Sequence, residues 1–177
     1  MSGRLPQYVQ PARLAETGGA VRGTLRVEEL GRLAESLHDT EGTVDVDLKF
    51  GIDELGTRYI RGNLRTVLHL TCQRCLQALV CPMDLQVALG LAMPGRTQDF
   101  PERYEVLPLE EANLELAELV EDELILALPI VPMHAPDECE YDSGVIAVPE
   151  EDSREDAAEE RQLPFKDLAG LLKRSRS

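Results

Sequence analysis

Four side chains able to bind a metal ion fall in two places along the chain. Cys72 and Cys75 are separated by two residues in the stretch LTCQRCLQALVC, and His134 and Cys139 are separated by four in PIVPMHAPDEC. A structural zinc ion is held in a tetrahedron of thiolate and imidazole ligands, and a two-residue gap lets two thiolates of one turn reach one ion. The two pairs together predict a structural zinc site built from Cys72, Cys75, His134 and Cys139.

The same cysteines allow two other interpretations. A thioredoxin-like redox pair needs its cysteines between a strand and a helix, where the helix N-terminus lowers a thiol pKa. Both flanks of CQRC have the pattern of strands, although Arg74 inside the motif would favour a thiolate. The other alternative is a turn and a loop that bind no metal. Cys81 is expected in the core instead, because at strand spacing it shares an apolar face with Leu79 and Met83.

A run without acidic side chains surrounds the CQRC motif. No aspartate or glutamate occurs between Leu55 and Met83, where the cations are Arg58, Arg61, Arg65 and Arg74. Proteins neutralise RNA phosphates with clustered cations, and the end of the chain adds Lys173, Arg174 and Arg176. All of these are candidate contacts to RNA or to another partner. The alternative is that the arginines only keep the exposed side of a sheet in water.

The remaining charge is acidic and concentrated in one region. The formal net charge is −15, and residues 101–160 hold 20 acidic and 2 basic side chains. Glu118, Glu121 and Asp122 fall on the outer side of a predicted helix. They are either an ordinary solvated face or an acidic face that binds a basic protein partner. A positive patch elsewhere on the molecule is compatible with this net charge.

No arrangement typical of an enzyme is visible in the sequence. The motifs GxxxxGK[ST], GxGxxG, GxSxG and HExxH, which bind phosphates and dinucleotides or carry hydrolase chemistry, are all lacking. Zinc held by four protein ligands would leave no open position for water. The sequence favours a binding or assembly factor over a catalyst, with a metal-dependent nuclease as a weaker rival.

Hydrophobic periodicity places the elements that must carry these residues. Helical spacing predicts an N-terminal helix over 27–37 and an acidic helix between an N-cap at Asn113 and a stop at Pro129. Alternation with period two predicts strands over 44–52, 60–72 and 79–93, the last being one strand or a broken pair. The predicted fold class is α+β, an antiparallel β-meander or small open barrel with both helices packed on it.

Length and composition predict one folded domain followed by a tail. Residues 1–148 form the predicted domain, residues 149–163 a mobile acidic linker, and residues 164–177 a short basic helix. The N-terminus does not combine a basic start with an apolar stretch, and the most apolar run, LILALPIVPM, is broken by two prolines. We therefore expect a cytoplasmic protein without a membrane span, whose cysteines stay reduced.

Four segments resemble a known bacterial family. TCQRCLQAL, VEDELILALPIVPMH followed by Cys139, RLAESL and PFKDLAGLLKR are similar in order and spacing to the YceD family of large ribosomal RNA subunit accumulation proteins. The resemblance implies a non-catalytic factor for synthesis, processing or stability of 23S ribosomal RNA, acting in large-subunit biogenesis. Its partners would be precursor RNA, a basic ribosomal protein bound to that RNA, or both, with no small-molecule substrate. The alternative is an acidic, chaperone-like module that holds a basic ribosomal protein without touching RNA.

Overall fold

A computed structural model describes residues 3–93, 99–109 and 111–139 of the chain. All of these residues belong to the unit Met1–Tyr141. The predicted linker 149–163, the predicted helix 164–177 and the cations Lys173, Arg174 and Arg176 lie outside the described residues. The predicted end of the domain at residue 148 lies outside them too and stays a prediction.

The described residues form short helices around two groups of strands. In chain order the elements are β1 Tyr8–Val9, α1 Pro11–Thr17, β2 Ala20–Arg26, α2 Gly31–Ala34, β3 Thr43–Ile52, β4 Arg58–Thr71, β5 Ala78–Ala92, β6 Glu105–Pro108, β7 Leu114–Glu115 and α3 Leu116–Ala127. Among these residues the longest helix is α3, with 12 residues, and none is long and apolar enough to cross a bilayer.

The main sheet has one buried and one solvent-facing side. Strands β2, β3, β4 and β5 are antiparallel neighbours in chain order, and β6 pairs with β5 in parallel. Along β3 the even-numbered side chains from Val44 to Phe50 are at most 3% exposed, whereas Asp45 and Lys49 face solvent. This alternation of buried and exposed side chains explains why a hydrophobic pattern with a period of two residues predicted β3. The sheet is open, and the predicted α+β class with an antiparallel meander is confirmed.

Strands β4 and β5 form one long hairpin. Their register is unbroken from Tyr59 opposite Gly90 to Thr71 opposite Ala78, so residues 78–92 are a single strand and not a broken pair. Leu64 and Leu68 point into the core. The CQRC motif follows β4 directly, at the tip of this hairpin.

Helix α3 covers the buried side of the sheet. Its apolar stripe lies in the core and is at most 4% exposed, comprising Leu116, Leu119, Val120 and Leu124. The helix begins later than the predicted N-cap at Asn113, because Leu114 and Glu115 pair instead with Val9 and Tyr8 of β1. It ends at Ala127, close to the predicted stop at Pro129.

The predicted helix over 27–37 is broken. A 3-10 turn, Val27–Glu29, is followed by the four residues of α2, and Leu30 between them has a non-helical ψ of 82°. Gly31 at the break has a poor helix propensity, which explains why the periodic pattern is not continued as one helix. Val27, Leu30 and Leu33 are nevertheless at most 1% exposed, so the pattern identified the buried side correctly.

Candidate metal centre

The CQRC motif folds as a tight turn between two strands. The N–H of Cys72 donates to the carbonyl of Gln77 at 2.9 Å, and the carbonyl of Cys72 accepts from the N–H of Leu76 at 2.9 Å. Leu76 has a left-handed φ of 61°, which a bulky residue adopts only where its surroundings impose it. Since β5 follows this turn, the cysteines do not lie at the start of a helix, as thioredoxin-like redox pairs do.

The loop after α3 brings the second pair of ligands to this turn. The N–H of Gln73 donates to the carbonyl of Pro132 at 2.8 Å. The guanidinium of Arg74 lies 3.9 Å from the sulfur of Met133, a residue 59 positions away in sequence. These contacts place the segment that carries His134 and Cys139 against the tip of the hairpin.

The four predicted ligands meet at one point. Their ligating atoms all lie within 4.8 Å of one another. Cys72 Sγ is 4.0 Å from Cys139 Sγ, and Cys75 Sγ is 3.3 Å from His134 Nδ1. A tetrahedron with zinc bonds of about 2.3 Å to sulfur and about 2.0 Å to nitrogen has edges of roughly 3.5 to 3.8 Å. The observed spacings lie on either side of these edges, so the four residues can hold one metal ion.

His134 is oriented for metal binding by its second ring nitrogen. Nε2 lies 3.1 Å from the carbonyl oxygen of Ala78, which can only accept a hydrogen bond. Nε2 therefore carries the proton, and Nδ1 presents its lone pair to the thiols. A backbone carbonyl is a common second partner of a metal-bound histidine. Because Ala78 is the first residue of β5, the strand itself fixes this tautomer.

The surroundings of Cys72 favour the thiolate form that a metal requires. The N–H of Cys75 contributes most, followed by the N–H groups of His134 and Arg74, and together they lower the pKa of Cys72 to about 5. Burial and the sulfurs of Cys75 and Cys72 instead raise the pKa of Cys139 to about 11. Thiolates this close together repel one another, and a divalent cation between them would remove that repulsion.

The part of the chain that builds this centre also matches known proteins. A family model described as "Large ribosomal RNA subunit accumulation protein YceD" matches residues 60–172, which include all four ligands. The chain belongs to the YceD family. A relative from Haemophilus influenzae, the large ribosomal RNA subunit accumulation protein YceD, is 33% identical over 139 residues, covering 77% of this chain and 80% of the relative. No solved structure matches the chain.

The four predicted arginines of this YceD-family chain do not share one sheet face. Arg61 and Arg65 lie on the solvent-facing side of β4, whereas Arg58 alternates in phase with buried Ile60. Arg74 lies in the turn after β4. Arg65 Nε lies 3.0 Å from a carboxylate oxygen of Asp84, and Arg58 lies 3.2 Å from one of Glu16. Both acids are outside the acid-free run of sequence, but folding places them beside it. The acid-free run is therefore not an acid-free surface, which could not be foreseen without the strand register.

Arg61 differs from Arg58 and Arg65 in its contacts. Its guanidinium carbon lies 4.9 Å from the ring centre of Tyr59 and 4.8 Å from that of Tyr104, and it donates to the Tyr104 hydroxyl at 2.8 Å. No carboxylate within residues 3–93, 99–109 and 111–139 lies within 4 Å of it. Neither tyrosine belongs to a motif, and 45 positions separate them in sequence, so the sequence does not predict that both contact Arg61.

Glu121 does not face solvent as the helical pattern predicted. It is 6% exposed and accepts hydrogen bonds from the N–H groups of Arg32 at 2.7 Å and Leu33 at 3.0 Å, as well as from Arg32 Nε at 2.9 Å. It thus satisfies the free N–H groups at the start of α2. Glu118 is exposed, and Asp122 is half-exposed and pairs with Arg32. The predicted acidic face is therefore reduced to Glu118 and Asp122.

Proposed function

We propose that this protein is a non-catalytic factor for the synthesis, processing or stability of 23S ribosomal RNA in large-subunit biogenesis. Membership of the YceD family carries this proposal, because the family is described by large ribosomal RNA subunit accumulation. The matched residues also include all four candidate metal ligands. The Haemophilus influenzae relative is named a large ribosomal RNA subunit accumulation protein. The partner would be large-subunit precursor RNA or a protein bound to it, in the cytoplasm.

A structural zinc ion at the metal centre is part of the proposal. Three sulfurs and one imidazole nitrogen form a ligand set that binds zinc in preference to magnesium or calcium. Four protein ligands would fill a tetrahedral ion, so no position would remain for a reactive water. The ion would hold the loop after α3 against the tip of the hairpin, and its contribution would be to the fold.

The functional proposal is tested by the ribosomal RNA of a bacterial strain that lacks its YceD-family protein. We expect less 23S relative to 16S ribosomal RNA, restored by this chain. A version carrying both Cys72→Ser and Cys75→Ser should restore it incompletely, since it has lost half of the ligands. Normal 23S levels in the deletion strain would refute the proposed function, and full restoration by the double variant would show that the cysteines are dispensable for it.

The zinc proposal is tested by metal analysis of protein purified without a polyhistidine tag. We expect about one zinc per chain, the ratio that one four-ligand site allows. Cys139→Ser should lose the metal. Folded wild-type protein with far less than one zinc per chain would contradict the proposal.

A second candidate function, binding of a basic ribosomal protein, is favoured by an acidic groove beside α3. The groove has a volume of about 440 Å³, and four carboxylates line it, those of Glu111, Glu115, Glu118 and Asp122. A segment rich in lysine and arginine would complement this charge. This function would not require RNA contact.

A fluorescein-labelled oligolysine peptide tests the second candidate. Combining Glu111→Gln with Glu118→Gln should weaken binding of the peptide, because two groove carboxylates are lost. Combining Glu54→Gln with Glu102→Gln changes the net charge equally at exposed residues that do not line the groove. Equal binding by the two double variants would show that only the net charge matters, and the groove would be dropped.

A further inference from the structure

The solvent side of the main sheet changes charge along its strands. The register of β3, β4 and β5 creates three successive cross-strand rows, Asp45 with Arg65 and Asp84, Asp47 with Asn63 and Gln86, and Lys49 with Arg61 and Ala88. The first row has two acids and one cation. In the second row the single acid, Asp47, pairs with Arg22 at 3.0 Å. The third row has two cations and no acid, so positive charge is concentrated there.

A groove opens at this positive row. Its volume is about 470 Å³, within the range of ligand pockets. Gly62 and Val87 line its floor, and the small side chain of Ala88 leaves room between the long side chains of the outer face. Lys49, Arg61 and Arg103 also line it, and so does one acid, Asp47, whose carboxylate pairs with Arg22. The three lining cations place positive groups around a concave surface on the outer face of the sheet.

Two of the three cations have no acidic partner. Arg103 lies 2.6 Å from a carboxylate oxygen of Asp53, which neutralises it. Lys49 and Arg61 have no carboxylate within 4 Å among residues 3–93, 99–109 and 111–139. The groove can therefore attract an anion without first breaking an ion pair of either residue.

Arg61 is held in place before any ligand arrives. Tyr59 and Tyr104 stack with centroids 5.9 Å apart and planes 13° from parallel, and the guanidinium lies against both rings. The hydrogen bond to the Tyr104 hydroxyl uses one of the five N–H donors. The remaining donors keep a fixed planar arrangement, which suits the oxygens of a phosphate.

We propose that the groove of Lys49 and Arg61 binds the phosphodiester backbone of RNA. The inference rests on the proposed function, which supplies the RNA. Arg61 would donate two hydrogen bonds to one phosphate, and Lys49, directly opposite on β3, would contact the same or the next phosphate. The net charge of −15 disfavours RNA binding overall, so binding would depend on a locally positive surface such as this groove.

Salt-dependent binding of a fluorescein-labelled transcript of 23S precursor RNA tests the groove. Full-length protein is titrated by fluorescence anisotropy at several salt concentrations. Each of Lys49→Gln and Arg61→Gln should weaken binding and reduce the slope of log affinity against log salt by roughly 0.7 to 1, the value for one lost phosphate contact. The double variant should lose about twice that slope.

A matched control separates the groove from the general field of the protein. Combining Arg26→Gln with Arg65→Gln removes the same charge from the same face, but at arginines that pair with Glu29 and Asp84, outside the groove. This control should keep the wild-type slope. A control that loses as much slope as the groove variant, or wild-type protein that binds no RNA at low salt, overturns the proposal. Should Arg61→Gln fail to fold, Lys49→Gln alone decides, since Lys49 is exposed.

The deletion strain distinguishes failure of the groove from failure of the proposed function. Wild-type protein that restores 23S RNA but shows no salt-dependent RNA binding would leave the function standing and remove the groove. Normal 23S RNA without the protein would remove the function, whatever the binding slopes are. We expect Lys49→Gln with Arg61→Gln to restore 23S RNA poorly and the arginine control to restore it fully.

Discussion

Glu121 is the one charged residue that is buried among residues 3–93, 99–109 and 111–139. A buried carboxylate is tolerated when hydrogen bonds replace its water, and Glu121 has three, all from Arg32 and Leu33. They join α3 to the start of α2. Helical periodicity predicted Glu121 on the solvated side of α3, and its burial depends on partners in α2 that lie far away in sequence.

Glu121→Ala should lower the free energy of unfolding by about 2 to 3 kcal/mol, because it leaves two N–H groups without their acceptor. Urea unfolding followed by circular dichroism measures the change. The control is Glu118→Ala, an exposed acid one turn earlier, which should change stability by no more than about 0.5 kcal/mol. Equal effects of the two substitutions would show that Glu121 does not support α2.

Asp39 gives the protein an acid-dependent stability. A hydrogen bond with His69, at 2.9 Å, and the N–H of Glu41 lower the pKa of this carboxyl below its ordinary value. A lowered folded pKa means that the stabilisation is complete above the unfolded pKa of about 3.9 and is lost as the pH falls through the folded value. The stability difference between wild type and Asp39→Asn should therefore shrink below about pH 4. A difference that stays constant down to about pH 2 would contradict this.

At the scale of elements, the sequence predicted strands better than helices. Period two persists over the whole length of β3 and β4, because one side of the sheet is buried throughout. The prediction of one helix over 27–37 was wrong, because the helix is interrupted before Gly31, and α1 was not predicted at all. Pro11 at the start of α1 and the left-handed Gly18 after it, with φ of 64°, were the available signals. Seven residues are too few for periodicity to reveal a helix.

The close approach of β3 and β4 at Gly62 allows a matched test with two glycines. A Cβ at Gly62 would collide with backbone atoms of Asp47 and Leu48, which cannot move aside as a side chain can. Gly62→Ala should therefore destabilise the protein by about 1 kcal/mol or more. Gly31→Ala meets no atom within 4 Å and should be neutral or stabilise by up to about 1 kcal/mol. Urea unfolding of both variants decides, and equal effects would contradict this view of the sheet.

At the scale of the whole molecule, the cluster of four candidate metal ligands was predictable and the charge distribution was not. The ligands belong to two local motifs with restrictive residue types and spacings, and the structure brings all four together. The ion pairs of Arg58 and Arg65 depend instead on tertiary contacts. Their partners, Glu16 and Asp84, belong to α1 and β5. For the same reason, the tyrosines against Arg61 could not be found from the sequence.

The proposed zinc ion should stabilise the fold, because a ligand that binds only the folded state adds to its stability. We expect a chelator to lower the thermal midpoint of the zinc-loaded protein and to speed amide exchange at Gln73 and His134. Cys81→Ser should keep zinc and respond like wild type, since Cys81 packs against the core opposite Leu68. An unchanged midpoint after complete removal of zinc would contradict a stabilising role.

The length of the β4–β5 hairpin separates the proposed RNA groove from the candidate metal centre. Arg61 lies near one end of β4, whereas Cys72 follows its other end, and the ten residue-to-residue steps from Arg61 to Thr71 span about 33 Å of extended strand. No single nucleotide can reach from the groove to the cysteine turn. A partner that touches both must itself be extended along the hairpin, and the distance between its two contact points is set by the strand.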